Sequence, residues 1–134
     1  EGFDSPTFLE LAGKAANGVV FTTDLNRDSD REMVQQFLKD HREMYDIEGD
    51  MVGAHSYDAV RVLARAIDNV NSTEPQAILD GLRGIEDYEA LTGTIQRFTD
   101  GREVVRPVGA QIVKDMEFHF FWETEDPEII TPPR

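Results

Sequence analysis

The hydrophobic pattern of this 134-residue chain changes its period near Tyr88. Before that point, apolar residues recur at spacings of three and four between charged residues, which is typical of amphipathic helices. After it, short runs rich in β-branched and aromatic residues predict strands. An earlier run at residues 18–23 is continuously apolar or β-branched, as in parallel sheets that are covered on both faces. The pattern therefore predicts an α/β fold: Rossmann-like, predominantly parallel sheet segments followed by a C-terminal β meander.

The predicted elements can be placed from caps and turn residues. Ser5 and Pro6 suit the N-cap and first position of a short helix, Thr73, Glu74 and Pro75 begin a later one, and Asp100-Gly101 predicts a hairpin turn. The tail at 123–134 holds three of the six prolines, so we expect it to be extended or loosely attached. Helices are predicted at residues 5–16, from residue 28 until Gly49 ends the stretch, at 57–70 and at 76–82, and strands at 18–23, 51–54, 93–98, 108–113 and 117–122.

Charge and composition exclude several classes of protein. With 27 Asp and Glu against 13 Lys and Arg, the net charge is −14, and the three lysines are not clustered, so nucleic acid and anionic membranes are not expected partners. A hydrophobic content of 40% predicts a folded core. The first four residues have neither the basic nor the apolar region of a signal peptide, so we expect the chain to start inside a protein or after processing. Without cysteine, the chain has no disulfide, thiolate nucleophile or cysteine-based zinc site.

The acidic loop at residues 24–30 imitates the start of an EF-hand calcium loop. It has Ser29 where the sharp turn requires glycine and Gln35 where a bidentate glutamate is required. We interpret it instead as the source of N-cap and first-turn carboxylates for the following helix. Of the three histidines, only His55 follows a predicted parallel strand, where ligands collect in open α/β sheets; a structural or capping role is the competing interpretation. No metal site and no cofactor are predicted.

Signs of catalysis are weak. The sequence has no Gly-x-Ser-x-Gly elbow and no glycine-rich phosphate loop, and Ser56 cannot form a triad with His55 and Asp58 because side chains so close in sequence diverge. The aromatic run at residues 118–122 is interpreted as a strand that packs into a core, with a binding platform as the alternative. We therefore do not expect an enzyme.

Several short segments, taken together and in order, resemble the C-terminal part of type I periplasmic binding proteins of the branched-chain amino acid (leucine/isoleucine/valine) kind. These proteins are the substrate receptors of ABC importers, located in the periplasm or outside the cell and in some cases tethered as lipoproteins. The segments are Gly2-Phe3-Asp4-Ser5-Pro6, Leu9-Glu10-Leu11-Ala12-Gly13, Asn17-Gly18-Val19-Val20-Phe21-Thr22-Thr23, Tyr57-Asp58-Ala59-Val60, Leu91-Thr92-Gly93 and Arg106-Pro107-Val108.

The resemblance implies two α/β lobes joined by three hinge crossings, with a small-molecule ligand buried between them. Residues 1–23 would belong to the second lobe, 24–90 to the first, and 91–134 to the return into the second lobe and the tail. Family members are much longer, so the chain would be a C-terminal fragment of such a receptor. Its partners would be an amino acid or related ligand and an ABC permease, and strands without their neighbours favour self-association.

The resemblance also assigns candidate ligand residues. In amino-acid-binding members, an acidic residue at the position of Glu1 pairs with the ligand's ammonium group, because an enclosed, unpaired charge is costly; a frayed terminus is the competing interpretation. Thr23, His55 and Tyr57 are further candidates for the pocket or the hinge. A ligand-sensing regulatory domain of the same fold is the alternative function, and a metal-dependent enzyme is a more remote one.

Overall fold

The computed structural model describes residues 2–100 and 103–131. Its helices are α1 (Pro6–Ala12), α2 (Glu32–Tyr45), α3 (Met51–Val70), α4 (Pro75–Arg83) and α5 (Pro127–Ile130), with a short 3₁₀ helix at Gly13–Ala16. Its strands are β1 (Val20–Thr23), β2 (Glu86–Ala90), β3 (Gly93–Phe98), β4 (Val104–Val105), β5 (Val108–Lys114) and β6 (Glu117–Thr124).

The chain divides into two compact units, each discontinuous in sequence. Unit 1 is Glu1–Ala54 with Val108–Glu123, and unit 2 is His55–Pro107 with Thr124–Arg134. The chain therefore passes from one unit to the other after Ala54, after Pro107 and after Glu123. These bounds are not those expected for the lobes, and the assignment of segments to lobes stays a prediction.

Unit 1 is built on a sheet with the strand order β1-β5-β6. Strand β1 runs antiparallel to β5, with Phe21 opposite Gln111 and Thr23 opposite Gly109. Phe21 packs with Ala16 and Val113 in a small core that α1 and the 3₁₀ helix cover. At the other edge of the sheet, the backbone N–H of Phe120 in β6 donates to Asp28 Oδ2 over 2.6 Å.

Unit 2 packs helices against a sheet of order β2-β3-β4, whose neighbouring strands are antiparallel. Ala90 pairs with Gly93, so Leu91 and Thr92 form the two-residue turn between β2 and β3. Val62 and Ala66 of α3 meet Ile95 in the core. Helix α4 approaches α3 closely at a glycine: a Cβ atom at Gly81 would lie 2.4 Å from the carbonyl oxygen of Ala66.

Two predictions about the first part of the chain are wrong. Residues 51–54 are the first turn of α3 and not a strand. Without that strand, β1 has no parallel neighbour there and pairs with β5 instead. Among the described residues, the direction of three strand pairings is defined, and all three are antiparallel. Alternate residues of β1 are exposed, so this strand is not covered on both faces.

Three further differences have local causes. Helix α2 starts at Glu32, later than predicted, because the preceding residues form turns that the side chains of Asn26 and Ser29 close. The N-cap residue, Arg31, makes no capping side-chain bond. Strand β2 was not predicted because its sequence is mostly acidic. The tail is not loose through residue 131: Asp126 caps α5, and Ile130 is buried.

The hairpin predicted around residues 100–101 is formed by β3 and β4, although Gly101 itself lies outside the described residues. In the described part of the chain, no helix is both long and apolar enough to cross a bilayer.

Candidate functional site

Asp58 is a buried carboxylate that organises unit 2. It points inward from α3 with only 6% of its surface exposed. Its Oδ1 accepts the backbone N–H of Leu91 over 2.7 Å, and its Oδ2 accepts both the N–H and the hydroxyl of Thr92, over 2.9 and 2.7 Å. Bonds to an ionised acceptor are stronger than neutral ones. Asp58 therefore fixes the β2–β3 turn to α3.

Arg106 extends this network toward the start of α3. One guanidinium nitrogen donates to the Thr92 hydroxyl, and Nη2 lies 3.0 Å from His55 Nε2. Because arginine has no acceptor, a hydrogen bond between these two atoms requires His55 Nε2 to be the acceptor. Four side chains from three separate segments thus form one polar network.

This polar network borders a cavity of about 470 Å³ in unit 2 that is open to solvent on one side, where Leu63 is 45% exposed. Its polar end holds His55, Asp58, Thr92 and Arg106. Its walls are apolar and come from α3, α4 and the sheet: Ala59, Val62, Leu63, Leu82, Ile95, Phe98 and Val104. A cavity with apolar walls and a few convergent polar groups has the composition of small-molecule sites in general.

Unit 1 contains a second buried network, centred on Arg27. Its Nη2 lies 2.5 Å from Asp4 Oδ1 and 3.1 Å from the carbonyl oxygen of Gly49, and its Nη1 donates to Gln111 Oε1 over 2.8 Å. The guanidinium also covers the ring of Phe118, 4.7 Å from its centroid. Arg27 therefore ties the N-terminal segment, the loop before α3, and strands β5 and β6 together.

Gln111 brings a buried side-chain amide to that network. The residue is 1% exposed, and its Nε2 makes no hydrogen bond to any described residue. Since Oε1 is held by Arg27, turning the amide over would place two donors against each other. The contacts therefore fix the amide's orientation and leave its N–H₂ group as a buried donor.

The structure places the predicted ligand residues in different surroundings. Glu1 lies outside the described residues. Thr23 is buried in unit 1, where its hydroxyl donates to Asp4 Oδ2 and accepts the N–H of Leu25. His55 and Tyr57 both belong to α3 in unit 2, but they are two residues apart and so point to different sides of the helix. Tyr57 is 42% exposed, with the guanidinium of Arg61 over its ring at 5.5 Å.

Residue-by-residue reasoning did not identify Asp4, Arg27, Asp58, Thr92, Arg106 and Gln111 as members of buried networks. A signal was present for part of the set: Asp4, Asp58, Thr92 and Arg106 each lie in one of the segments that carry the family resemblance. The structure brings the segments of the last three together. Nothing in the local sequence marks Arg27 or Gln111, whose contacts join residues 84 positions apart.

The two networks consist of hydrogen bonds and an ion pair. Across residues 2–100 and 103–131, no three His, Asp or Glu side chains are grouped so that they could hold a metal ion. In particular, the described loop at 24–30 directs Asp28 to the backbone of β6.

Comparison with known proteins gives a match along most of the chain. A family described as "Periplasmic binding protein" matches residues 2–116. Among solved structures, the leucine-binding protein LivK from Thermotoga maritima is 25% identical, with a TM-score of 0.82 over 96% of this chain and 37% of that one. LivJ from Streptococcus pneumoniae, solved with isoleucine, is 22% identical, with a TM-score of 0.76 over 87% of this chain and 33% of that one.

A solute-binding protein from Rhodopseudomonas palustris, solved with benzoate, is 16% identical, with a TM-score of 0.72 over 85% of this chain and 32% of that one. No curated protein sequence is similar enough to count as a relative. The chain spans about a third of the length of the solved structures that it matches.

Proposed function

Because the chain belongs to the periplasmic binding protein family, we propose that it forms part of an extracytoplasmic receptor that captures a small molecule and delivers it to an ABC permease. The family match over residues 2–116 is the observation that carries the proposal. The resemblance seen in the sequence and the fold class, a mixed α/β chain of the type I periplasmic binding fold, are both confirmed. Members of the family are solute-binding proteins and not enzymes, and they work outside the cytoplasm.

The proposed ligand is an amino acid or a related small molecule. Support comes from the similarity to the leucine-binding LivK and to LivJ, which holds isoleucine. The benzoate-bound neighbour shows that this fold also accepts an aromatic acid without an ammonium group. The distinction matters chemically, because only an amino acid requires a fixed carboxylate to pair with its ammonium.

We assign the ammonium-pairing role to Glu1 and pocket or hinge roles to Thr23, His55 and Tyr57. His55 borders the polar end of a cavity, and Tyr57 is accessible, which suits both to contact with a solute. The Thr23 hydroxyl is engaged with Asp4, so this residue would act through its backbone or by orienting its neighbours.

Binding would proceed by closure of the two lobes around the solute and involves no covalent step. Closure excludes water and so strengthens each polar contact with the ligand. Because this chain spans about a third of its relatives' length, we expect these residues alone to bind amino acids weakly or not at all.

A thermal-shift screen of the complete receptor against amino acids, amides and aromatic acids tests the proposal. A ligand present at 100 times its Kd adds about 2.7 kcal/mol to stability, which raises the melting temperature measurably. We expect a shift with leucine that Glu1→Ala abolishes and that Glu10→Ala, an exposed glutamate of α1, leaves intact.

Two outcomes would contradict these assignments. If no α-amino acid shifts the melting temperature but benzoate does, the ligand class is wrong. If leucine stabilises the Glu1→Ala variant as much as the unmodified receptor, Glu1 does not pair with the ammonium.

A further inference from the structure

Two of the three points at which the chain passes between its units carry side chains that touch. His55 is the first residue of unit 2 after the passage at Ala54, and Arg106 is the next-to-last residue before the passage at Pro107. Arg106 Nη2 and His55 Nε2 are 3.0 Å apart, although 51 positions separate the residues in sequence. The contact therefore joins two passages that the backbone connects only through the residues between 55 and 106.

Arg106 is held firmly enough to restrain its partner. Its other guanidinium arm donates to the Thr92 hydroxyl, which is itself bonded to the buried carboxylate of Asp58. The next residue, Pro107, has a fixed φ and lies beside Gly93, the first residue of β3, where an added Cβ atom would meet the proline ring at 3.6 Å. The anchor thus consists of a rigid turn, a proline and a buried carboxylate.

We propose that Arg106 is a positioning residue that clamps the passage at 54–55 to the passage at 107–108 by holding His55. A planar guanidinium can bond Thr92 and His55 at once, because its donors are fixed in a fork. A lysine ammonium is a point donor on a flexible stem and cannot reproduce both contacts with the same geometry. The clamp would limit local opening of the backbone at both passages together.

In the complete receptor, the same restraint would act on lobe closure if the hinge crossings of the proposed receptor coincide with these two passages. That consequence rests on the proposed function. The clamp itself does not, and its test contains no ligand, so failure of the clamp and failure of the receptor assignment can be told apart.

The experiment is amide hydrogen exchange, followed by NMR on the ¹⁵N-labelled chain, in matched variants. Arg106→Lys and His55→Leu should each raise exchange at residues 55, 56, 108 and 109 by about tenfold, the effect of losing one charge-assisted hydrogen bond. His55→Gln keeps an acceptor near the position of Nε2 and should stay within about twofold of the unmodified chain at these amides. Arg97→Lys, at an exposed position of β3, is the control and should change none of them.

The amides of Leu91 and Thr92 separate a clamp from general stability, because Asp58 and not Arg106 holds them. The proposal requires their exchange to stay within about twofold in every variant. It is overturned if exchange at the passages is unchanged in Arg106→Lys and His55→Leu, if all amides accelerate together, or if His55→Gln behaves like His55→Leu.

Discussion

At the scale of single residues, Asp58 accepts three hydrogen bonds, so unit 2 should be sensitive to loss of its charge. Asp58→Asn keeps the shape but places an N–H₂ group against backbone donors that remain buried. We expect a loss of about 2–3 kcal/mol in the free energy of unfolding, since bonds to a charged acceptor are involved and a donor is left unsatisfied. Urea denaturation followed by circular dichroism measures it.

Asp68→Asn, at an exposed site on the same helix, is the matched control and should change stability by less than about 0.5 kcal/mol. Equal stabilities of the two variants would show that the Asp58 network does not support the fold.

Glu103 is the carboxylate whose protonation reports on the β3–β4 hairpin. The hydroxyl of Thr99 donates to its Oε2, and this side-chain bond is the main cause that lowers the pKa of Glu103 below its ordinary value; a backbone bond adds to it. A lowered carboxyl pKa means that the contribution to stability is present above the ordinary pKa and is lost as pH falls through the lowered one.

Thr99→Val should therefore return the pKa of Glu103 toward its ordinary value, whereas Thr99→Ser, which keeps the hydroxyl, should leave it lowered. An NMR titration of the side-chain carboxyl measures both variants. Identical titration curves for the valine and serine variants would contradict the role of the hydroxyl.

How much of these networks was predictable depends on the range of each contact. Asp58, Thr92 and Arg106 could be singled out because each lies in a segment that carries the family resemblance. That they touch could not be predicted, because no local rule relates positions 58, 92 and 106. In the sequence, Arg27 is simply one charged residue of an acidic loop. Its burial depends on Asp4, Gly49 and Gln111, which come from distant parts of the chain.

At the scale of elements, α4 packs closely on α3 at Gly81. Alanine is ordinarily the better helix former by about 1 kcal/mol, so Gly81→Ala would stabilise an isolated helix. Here the added Cβ would overlap the carbonyl oxygen of Ala66 at 2.4 Å, and backbone cannot move aside as a side chain can. We expect a net destabilisation of about 1–3 kcal/mol by urea unfolding.

Gly84→Ala provides the comparison at the end of the same helix. A Cβ atom there has only ordinary contacts at 3.6 Å, and its φ of −83° suits alanine. The change should be neutral or slightly stabilising. A Gly81→Ala variant as stable as Gly84→Ala would show that the two helices can separate without cost.

Element prediction succeeded where a period extends over several turns. Helices α2 and α4 follow from spacings of three and four, and Ser5 caps α1 as predicted, accepting the N–H of Phe8. It failed for Met51–Ala54, because four apolar residues have too short a period to distinguish a strand from a helix turn. It also missed β2, whose acidic sequence becomes a strand through pairing with β3.

At the scale of the whole molecule, exposed apolar side chains favour association between chains, whereas the large net charge opposes it. Phe120, Phe121 and Trp122 of β6 are exposed, whereas Phe118 of the same strand packs on Phe21. The proposed self-association of the chain would use such side chains, and the charge of −14 would resist it. The balance should therefore shift with salt, because the screening length falls from about 10 Å at 0.1 M to about 3 Å at 1 M.

We expect sedimentation velocity to show an increase in dimer or larger species between low and high salt. Phe121→Ser should reduce the increase more than Val60→Ser, which removes an exposed apolar side chain of α3. A monomer at all salt concentrations up to about 1 M would rule out self-association of this chain.

The bond between Asp28 and the backbone of Phe120 limits which kind of association is available. Strand β6 ends its sheet, and an open row of N–H groups on a terminal strand is a template for cross-β growth. Asp28 occupies one of those donors and places a carboxylate beside it, so another chain would have to displace the bond and accept the charge before pairing there. One carboxylate of the loop that imitates a calcium site thus occupies a backbone donor on the edge of β6 and removes it from pairing with a further strand.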